Sequence, residues 1–151
     1  MSVAPIVVDA SVAVKWVLDE EYSRQALALL MDCFQEGRRM AAPPSMLAEA
    51  TNAVYQRLRT TDPTIAIPAV DAAGAVQDLL DQPLEILAPY GLYERALQFA
   101  ITRGLPSIYD ALYVVLAELL GAELWTADQR LLSVLGGTTP WVQDIRQYPS
   151  A

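Results

Sequence analysis

Residues 107–128 read SIYDALYVVLAELLGAELWTAD. Over 107–120 the pattern is that of a helix, yet apolar side chains cover nearly its whole circumference, which places it in a core. The run AELWTAD that follows reads as a strand ending in Asp128. One charge interrupts the apolar helix, Asp110 in its first turn. A buried carboxylate must be paired, hydrogen-bonded or metal-bound, because an isolated buried charge is expensive. The economical local explanation is a capping box with Ser107, in which Asp110 reaches back to the Ser107 N–H and favours the positive end of the helix.

The same helix-then-strand alternation extends in both directions. PIVVDA, RMAAP and LEILAP read as strands ending near residues 10, 43 and 89. TPWVQDI, 139–145, is a candidate fifth. Between them, SVAVKWVL, YSRQALALLMDCFQEG, PSMLAEATNAVYQRLR, residues 69–81, YGLYERALQFAITRG and DQRLLSVL carry helical patterns. Proline opens the third of these and glycine closes the second and fifth. Short apolar strands alternating with helices imply an α/β fold with a parallel sheet.

Composition narrows the chemistry. A chain of 151 residues has the size of one domain, expected here to span 1–151, and its prolines and glycines are scattered rather than gathered into a linker. The apolar start lacks a basic segment and is broken by Asp9 and Lys15, so a secretion signal is not expected there. No uncharged run approaches a membrane span, and a single cysteine, Cys33, fits a reducing compartment. The expectation is a soluble cytoplasmic protein without membrane contact. Net charge is −8 with no histidine. That excludes Ser-His triads, His-ligated zinc and thiolate zinc sites, leaving carboxylates, hydroxyls and arginines to do any chemistry.

Two acids occupy a telling position. Asp9 ends the first strand and Asp128 the fourth, and open parallel sheets bind ligands at the carboxyl ends of their strands. Each is also a good helix N-cap. Glu49 lies among Ser45, Asn52 and Gln56 on a polar stripe, for which solvation is a sufficient explanation. Singly, all four acids have cheap structural accounts.

Taken in order, VVDASVAVKW, PPSMLAEATNAV and SIYDALYVVLAELLGAELWTADQRLL resemble the successive motifs of PIN-domain ribonucleases, specifically VapC toxins of toxin–antitoxin pairs. The resemblance runs from Val7 to about Ile145; the middle helix pair and the C-terminal tail match more loosely. It implies a three-layer α/β/α sandwich around a central, mostly parallel sheet of four to five strands. It also implies an acidic cluster of Asp9, Glu49, Asp110 and Asp128, supported by the hydroxyls of Ser11 and Thr126, with Asn52 bracing Glu49. On this reading Asp110 projects into the acidic pocket while Ser107 alone caps the helix. The implied activity is Mg²⁺- or Mn²⁺-dependent endonucleolytic cleavage of RNA, and the implied partners are an antitoxin whose tail covers the site and a second copy in a homodimer.

The chemistry is consistent with that donor set. Two unit charges about 6 Å apart repel by roughly 3 kcal/mol at an effective dielectric near 20. Several neighbouring carboxylates therefore call for a cation, and hard oxygen ligands suit Mg²⁺ or Mn²⁺. Asp9 and Asp110 are expected as direct ligands and Asp128 as a ligand directly or through water. Glu49 is left to orient the attacking water or to hold a second ion. Arg57 and Arg59, ending the Glu49 helix, are candidates to hold RNA phosphates, with pairing to the helix C-terminus as the structural alternative. Arg130 is expected to be a solvated helix residue.

Other phosphoryl-transfer folds fit less well. A haloacid dehalogenase-type domain needs a second Asp two residues after the first, where this chain has Ser11. A receiver domain needs a late lysine, and the only lysine is Lys15. The remaining alternative is a PIN-like module that is catalytically silent and serves as a partner platform.

Overall fold

The structure is a computed structural model describing residues 3–150; Met1, Ser2 and Ala151, part of the expected domain, lie outside the described residues. Five strands form one all-parallel sheet: β1 (Ile6–Val8), β2 (Met40–Ala42), β3 (Leu84–Ile86), β4 (Glu123–Thr126) and β5 (Val142–Asp144). The helices are α1 (Ala10–Val17), α2 (Ser23–Glu36), α3 (Met46–Arg59), α4 (Ala69–Leu80), α5 (Leu92–Arg103), α6 (Ile108–Leu120) and α7 (Gln129–Leu135). A short 3₁₀ turn at Ile145–Gln147, absent from the sequence pattern, closes the C-terminus.

Strand order is β3-β2-β1-β4-β5. The chain steps outward from β1 to β3, then returns through α5 and α6 to place β4 on the other side of β1. The reversal creates a topological switch point between the carboxyl ends of β1 and β4, the crevice where such sheets bind ligands. Central position explains composition. β1 is Ile-Val-Val, buried at every residue, because helices cover both of its faces.

One helical layer is built around α1, which packs on α2, α3 and α4. On the other side α6 lies against β1 and β4, with α5 outside it. Burial of α6 is continuous from Ala111 to Ala117, as its all-round apolar sequence predicts. Gly121, at φ +61°, ends α6 in the left-handed conformation. An L side chain would be strained there, and the turn lets β4 begin only at Glu123.

The buried cation Lys15 ion-pairs with Glu20 at 2.9 Å, and Trp16 donates its indole N–H to the Ala26 carbonyl. The first ties the end of α1 to the connection that follows it and the second ties it to α2, which gives these two residues packing roles.

Candidate active site

Asp9 stands directly after β1 and is the N-cap of α1, its carboxylate accepting from the Val12 N–H at 3.2 Å. The strand thus ends and the helix begins on a single side chain that is only 5% exposed. Two hydroxyls donate to it: Ser11 to Oδ1 at 2.5 Å, and the buried Thr126, from the end of β4, to Oδ2. Both hydroxyls are oriented in turn by backbone amides. The Ala127 N–H donates to Ser11 Oγ at 2.9 Å and the Asp128 N–H to Thr126 Oγ1 at 3.0 Å. The two strand ends are therefore stitched together through Asp9.

Burial raises the Asp9 carboxyl to about pH 6, despite opposing hydrogen bonds from Ser11, Thr126 and Val12; the Asp128 charge adds to the rise. Asp128 itself caps α7, its Oδ1 accepting from the Arg130 and Leu131 amides at 3.0 and 3.1 Å. Its Oδ2 has no hydrogen bond among the described residues.

Asp110 departs from the local explanation. It is half-buried in the first turn of α6, and no hydrogen bond reaches its carboxylate among the described residues. The capping box is not formed. Ser107 does occupy the N-cap position with extended backbone, but its hydroxyl makes no cap hydrogen bond, so the expectation that Ser107 caps through its side chain is corrected. The Asp110 carboxyl is pushed above its ordinary value by burial first, then by the charges of Asp128 and Glu49, with Arg130 acting against them. Asp110 on α6 thus feels the charges of Glu49 on α3 and of Asp128 at the start of α7.

Glu49, in the first turn of α3, is held by a group that sequence reasoning missed. The hydroxyl of Tyr113, in a side chain only 2% exposed, donates to Glu49 Oε1 at 2.8 Å. Burial, Glu49 and Asp9 keep the Tyr113 phenol far above its ordinary value, so it is a fixed donor. Asn52 does not brace Glu49; it is exposed and accepts from Gln56 at 3.4 Å. The available signal was a tyrosine one turn after Asp110 in an all-apolar helix, since a buried phenol usually finds a partner. Tyr113→Phe is expected to cost about 1 kcal/mol of stability, read by urea denaturation, and, if Glu49 serves the RNA cleavage that the resemblance implies, to lower turnover on RNA. Unchanged turnover would make the bond to Glu49 purely structural.

The arginines separate. Arg57 is tied down, donating to the Ile65 carbonyl at 2.6 Å and pairing with Glu20 at 3.4 Å, its side chain 17% exposed. Arg59 is exposed and lies over the Tyr55 ring at 5.7 Å. Eight and ten residues beyond Glu49, they stand roughly 12–15 Å along the helix from it. Arg57→Ala is expected to cost about 1–2 kcal/mol by breaking the Glu20 and Ile65 contacts, and Arg59→Ala less than about 1 kcal/mol. If both hold phosphates, the double variant also flattens the salt dependence of RNA binding. An unchanged salt slope assigns them to structure alone. Arg130, exposed as expected, is nearer the acids than either: it lines a cleft of about 330 Å³ with Asp110 and Asp128.

Carboxylates and hydroxyls without histidine are the donor set a hard divalent cation requires, and the neighbouring negative charges that add to the rise of Asp9 and Asp110 are ones a cation would offset. The acids are not closed around one point, however. Among the described residues no three are drawn together tightly enough to enclose an ion. The donors fit such a cation in kind; in position Asp9 and Asp128 stand at the strand ends and Asp110 shares a cleft with Asp128, so the expected four-acid cluster is not gathered.

The chain matches the PIN domain family over residues 6–136. No curated protein matches it. Among solved structures it is similar to PAE2754 from Pyrobaculum aerophilum, at 25% identity and TM-score 0.66, covering 95% of this chain and 92% of that one. It also shares its fold with VapC20 of Mycobacterium tuberculosis, a toxin cleaving the sarcin-ricin loop, at 15% identity and TM-score 0.61, covering 85% and 93%. A sheet of order 3-2-1-4-5 with acids at its switch point, matched from β1 through α7, makes this chain a member of the PIN-domain family.

Proposed function

We propose that this protein is a Mg²⁺- or Mn²⁺-dependent endoribonuclease of one domain, acting in the cytoplasm as the toxin of a type II toxin–antitoxin pair. The observation that carries the reading is Asp110: a half-buried carboxylate without a hydrogen-bond partner among the described residues, and under the charges of Asp128 and Glu49. The capping box that would have explained it locally is not formed.

Asp9, Asp110 and Asp128 would hold the ion, with Glu49 as a base orienting water. A bound divalent ion acidifies water and offsets the charge that builds on the phosphodiester. The chain's own part is preorganisation. Ser11 and Thr126 fix both oxygens of Asp9, the α7 amides fix one oxygen of Asp128, and Tyr113 fixes one oxygen of Glu49. VapC20 is a sarcin-ricin loop cleaving toxin, which together with the family resemblance supports RNA as the substrate, an antitoxin as partner and a homodimer.

A second reading, a catalytically silent partner platform, rests on the acids standing apart rather than gathered about one point. Cleavage of RNA by purified protein separates the two. Activity should vanish in EDTA and return with Mg²⁺ or Mn²⁺, and Mn²⁺ should raise the melting temperature of the wild type but not of Asp9→Asn. Undiminished cleavage in EDTA overturns the mechanism. No cleavage and no Mn²⁺ shift favours the platform.

A further inference from the structure

We propose that the cleft beside Asp110 and Asp128 is a subsite for one unpaired nucleotide of the RNA, with Arg130 holding its phosphate and an apolar wall taking its base or sugar. The proposal rests on the nuclease reading above and names the substrate form that reading leaves open.

Three observations meet in this cleft. First, its composition is divided. Asp110, Asp128 and Arg130 supply its charges, and Leu105, Pro106, Leu131 and Val134 its apolar surface. Val134 is 47% exposed, so its apolar surface is open to a ligand in the cleft. A nucleotide is divided in the same way, with an anionic phosphate at one end and a flat, largely apolar ring at the other.

Second, Arg130 is the cation in reach. It is exposed and makes no ion pair within 4 Å among the described residues, whereas Lys15, Arg39, Arg57, Arg95 and Arg146 each do. Its backbone N–H is fixed by Asp128 Oδ1 at 3.0 Å. The guanidinium is thus anchored at its root and free at its tip, and it presents a planar fork suited to phosphate oxygens. On a chain of net charge −8, such a group offsets the repulsion an incoming phosphate meets.

Third, size selects the ligand. A volume of about 330 Å³ lies at the small end of the roughly 300–1,000 Å³ typical of small-molecule pockets. That is about the size of one nucleotide unit. RNA would have to present a splayed base, the form in which loops and bulges are usually recognised.

The test compares wild type, Arg130→Ala and Arg130→Lys on a single-stranded oligoribonucleotide and on the same sequence as a duplex. In saturating Mn²⁺, Arg130→Ala should raise KM about tenfold while kcat changes by less than about threefold, with partial recovery in Arg130→Lys. The slope of log affinity against log salt should shrink by about 0.7, the value for one lost phosphate contact on a single strand. Val134→Asn, which adds no charge, should weaken single-strand binding while leaving the Mn²⁺ midpoint unchanged. Unchanged KM and salt slope, with tighter Mn²⁺ binding in Arg130→Ala, would make Arg130 a counter-charge to the acids and overturn the subsite. Equal binding of duplex and single strand would overturn its size selection. Should wild type cleave nothing, binding of labelled single-stranded RNA in EDTA decides: weaker binding by Arg130→Ala upholds the subsite while the nuclease reading falls, and equal binding removes both.

Discussion

Between pH 4 and pH 7 the metal-free protein is expected to lose roughly 3 kcal/mol of stability through Asp9 alone. The folded state holds the Asp9 proton up to about pH 6, whereas an unfolded aspartate releases it near pH 4. Across that window the folded state binds more protons than the unfolded chain, so stability falls as pH rises. The contribution is fully present below pH 4 and is lost once pH has passed about 6. Carboxyls whose pKa is lowered on folding, such as Asp144 beside Arg146, act oppositely and at lower pH.

The wild-type curve alone is therefore a sum, and the informative quantity is its difference from Asp9→Asn. The variant keeps the carbonyl oxygen that accepts from Ser11 and Val12 but turns an amide toward Thr126. The Thr126 hydroxyl then loses its acceptor, so part of the gain is forfeited. In EDTA the variant should be the more stable protein at pH 7, and its advantage should disappear toward pH 4. Urea denaturation at four or five pH values measures this. A difference that does not vary with pH would mean that Asp9 is ionised in the fold throughout, with its hydroxyl partners outweighing burial.

How much of this could be read from the sequence depends on the range of the interaction. The strands were legible because a sheet covered on both faces needs continuous apolar runs, as in Ile6–Val8. The positions of Asp9 and Asp128 followed, since each ends such a run and opens a helix. What escaped were contacts between residues remote along the chain. Tyr113 reaches Glu49 across 64 positions, and Glu20 captures Arg57 across 37. Neither pair has a local signature, so Asn52, a plausible neighbour one turn away, was expected to do what Tyr113 does. The Ser107 expectation erred in a different way. N-cap preference predicts the backbone position, which is correct, but the hydroxyl is exposed and water can satisfy the helix end instead.

Asp110→Asn should separate stability from function most sharply. The substitution removes one negative charge from a group facing Asp128 and Glu49 while nearly preserving its shape. It breaks no hydrogen bond, because the carboxylate has none among the described residues. In metal-free buffer at neutral pH the variant should be as stable as wild type or more so, by about 1–3 kcal/mol, the scale of one like-charge repulsion. In saturating Mn²⁺ the order should reverse, since an ion stabilises only the folded state that binds it. Cleavage of RNA should fall at least about 100-fold, because loss of a direct ligand exceeds the 10–100-fold cost of losing its supporting partners. A capping role predicts another result: a loss of up to about 2 kcal/mol, equal with and without metal, and cleavage nearly intact. The structure has already removed the hydrogen bond on which that alternative depends. Denaturation of both proteins in EDTA and then in Mn²⁺, with cleavage measured on the same samples, sets charge repulsion against capping on one residue. Equal destabilisation in both buffers together with retained cleavage would return Asp110 to the helix end and remove it from the site.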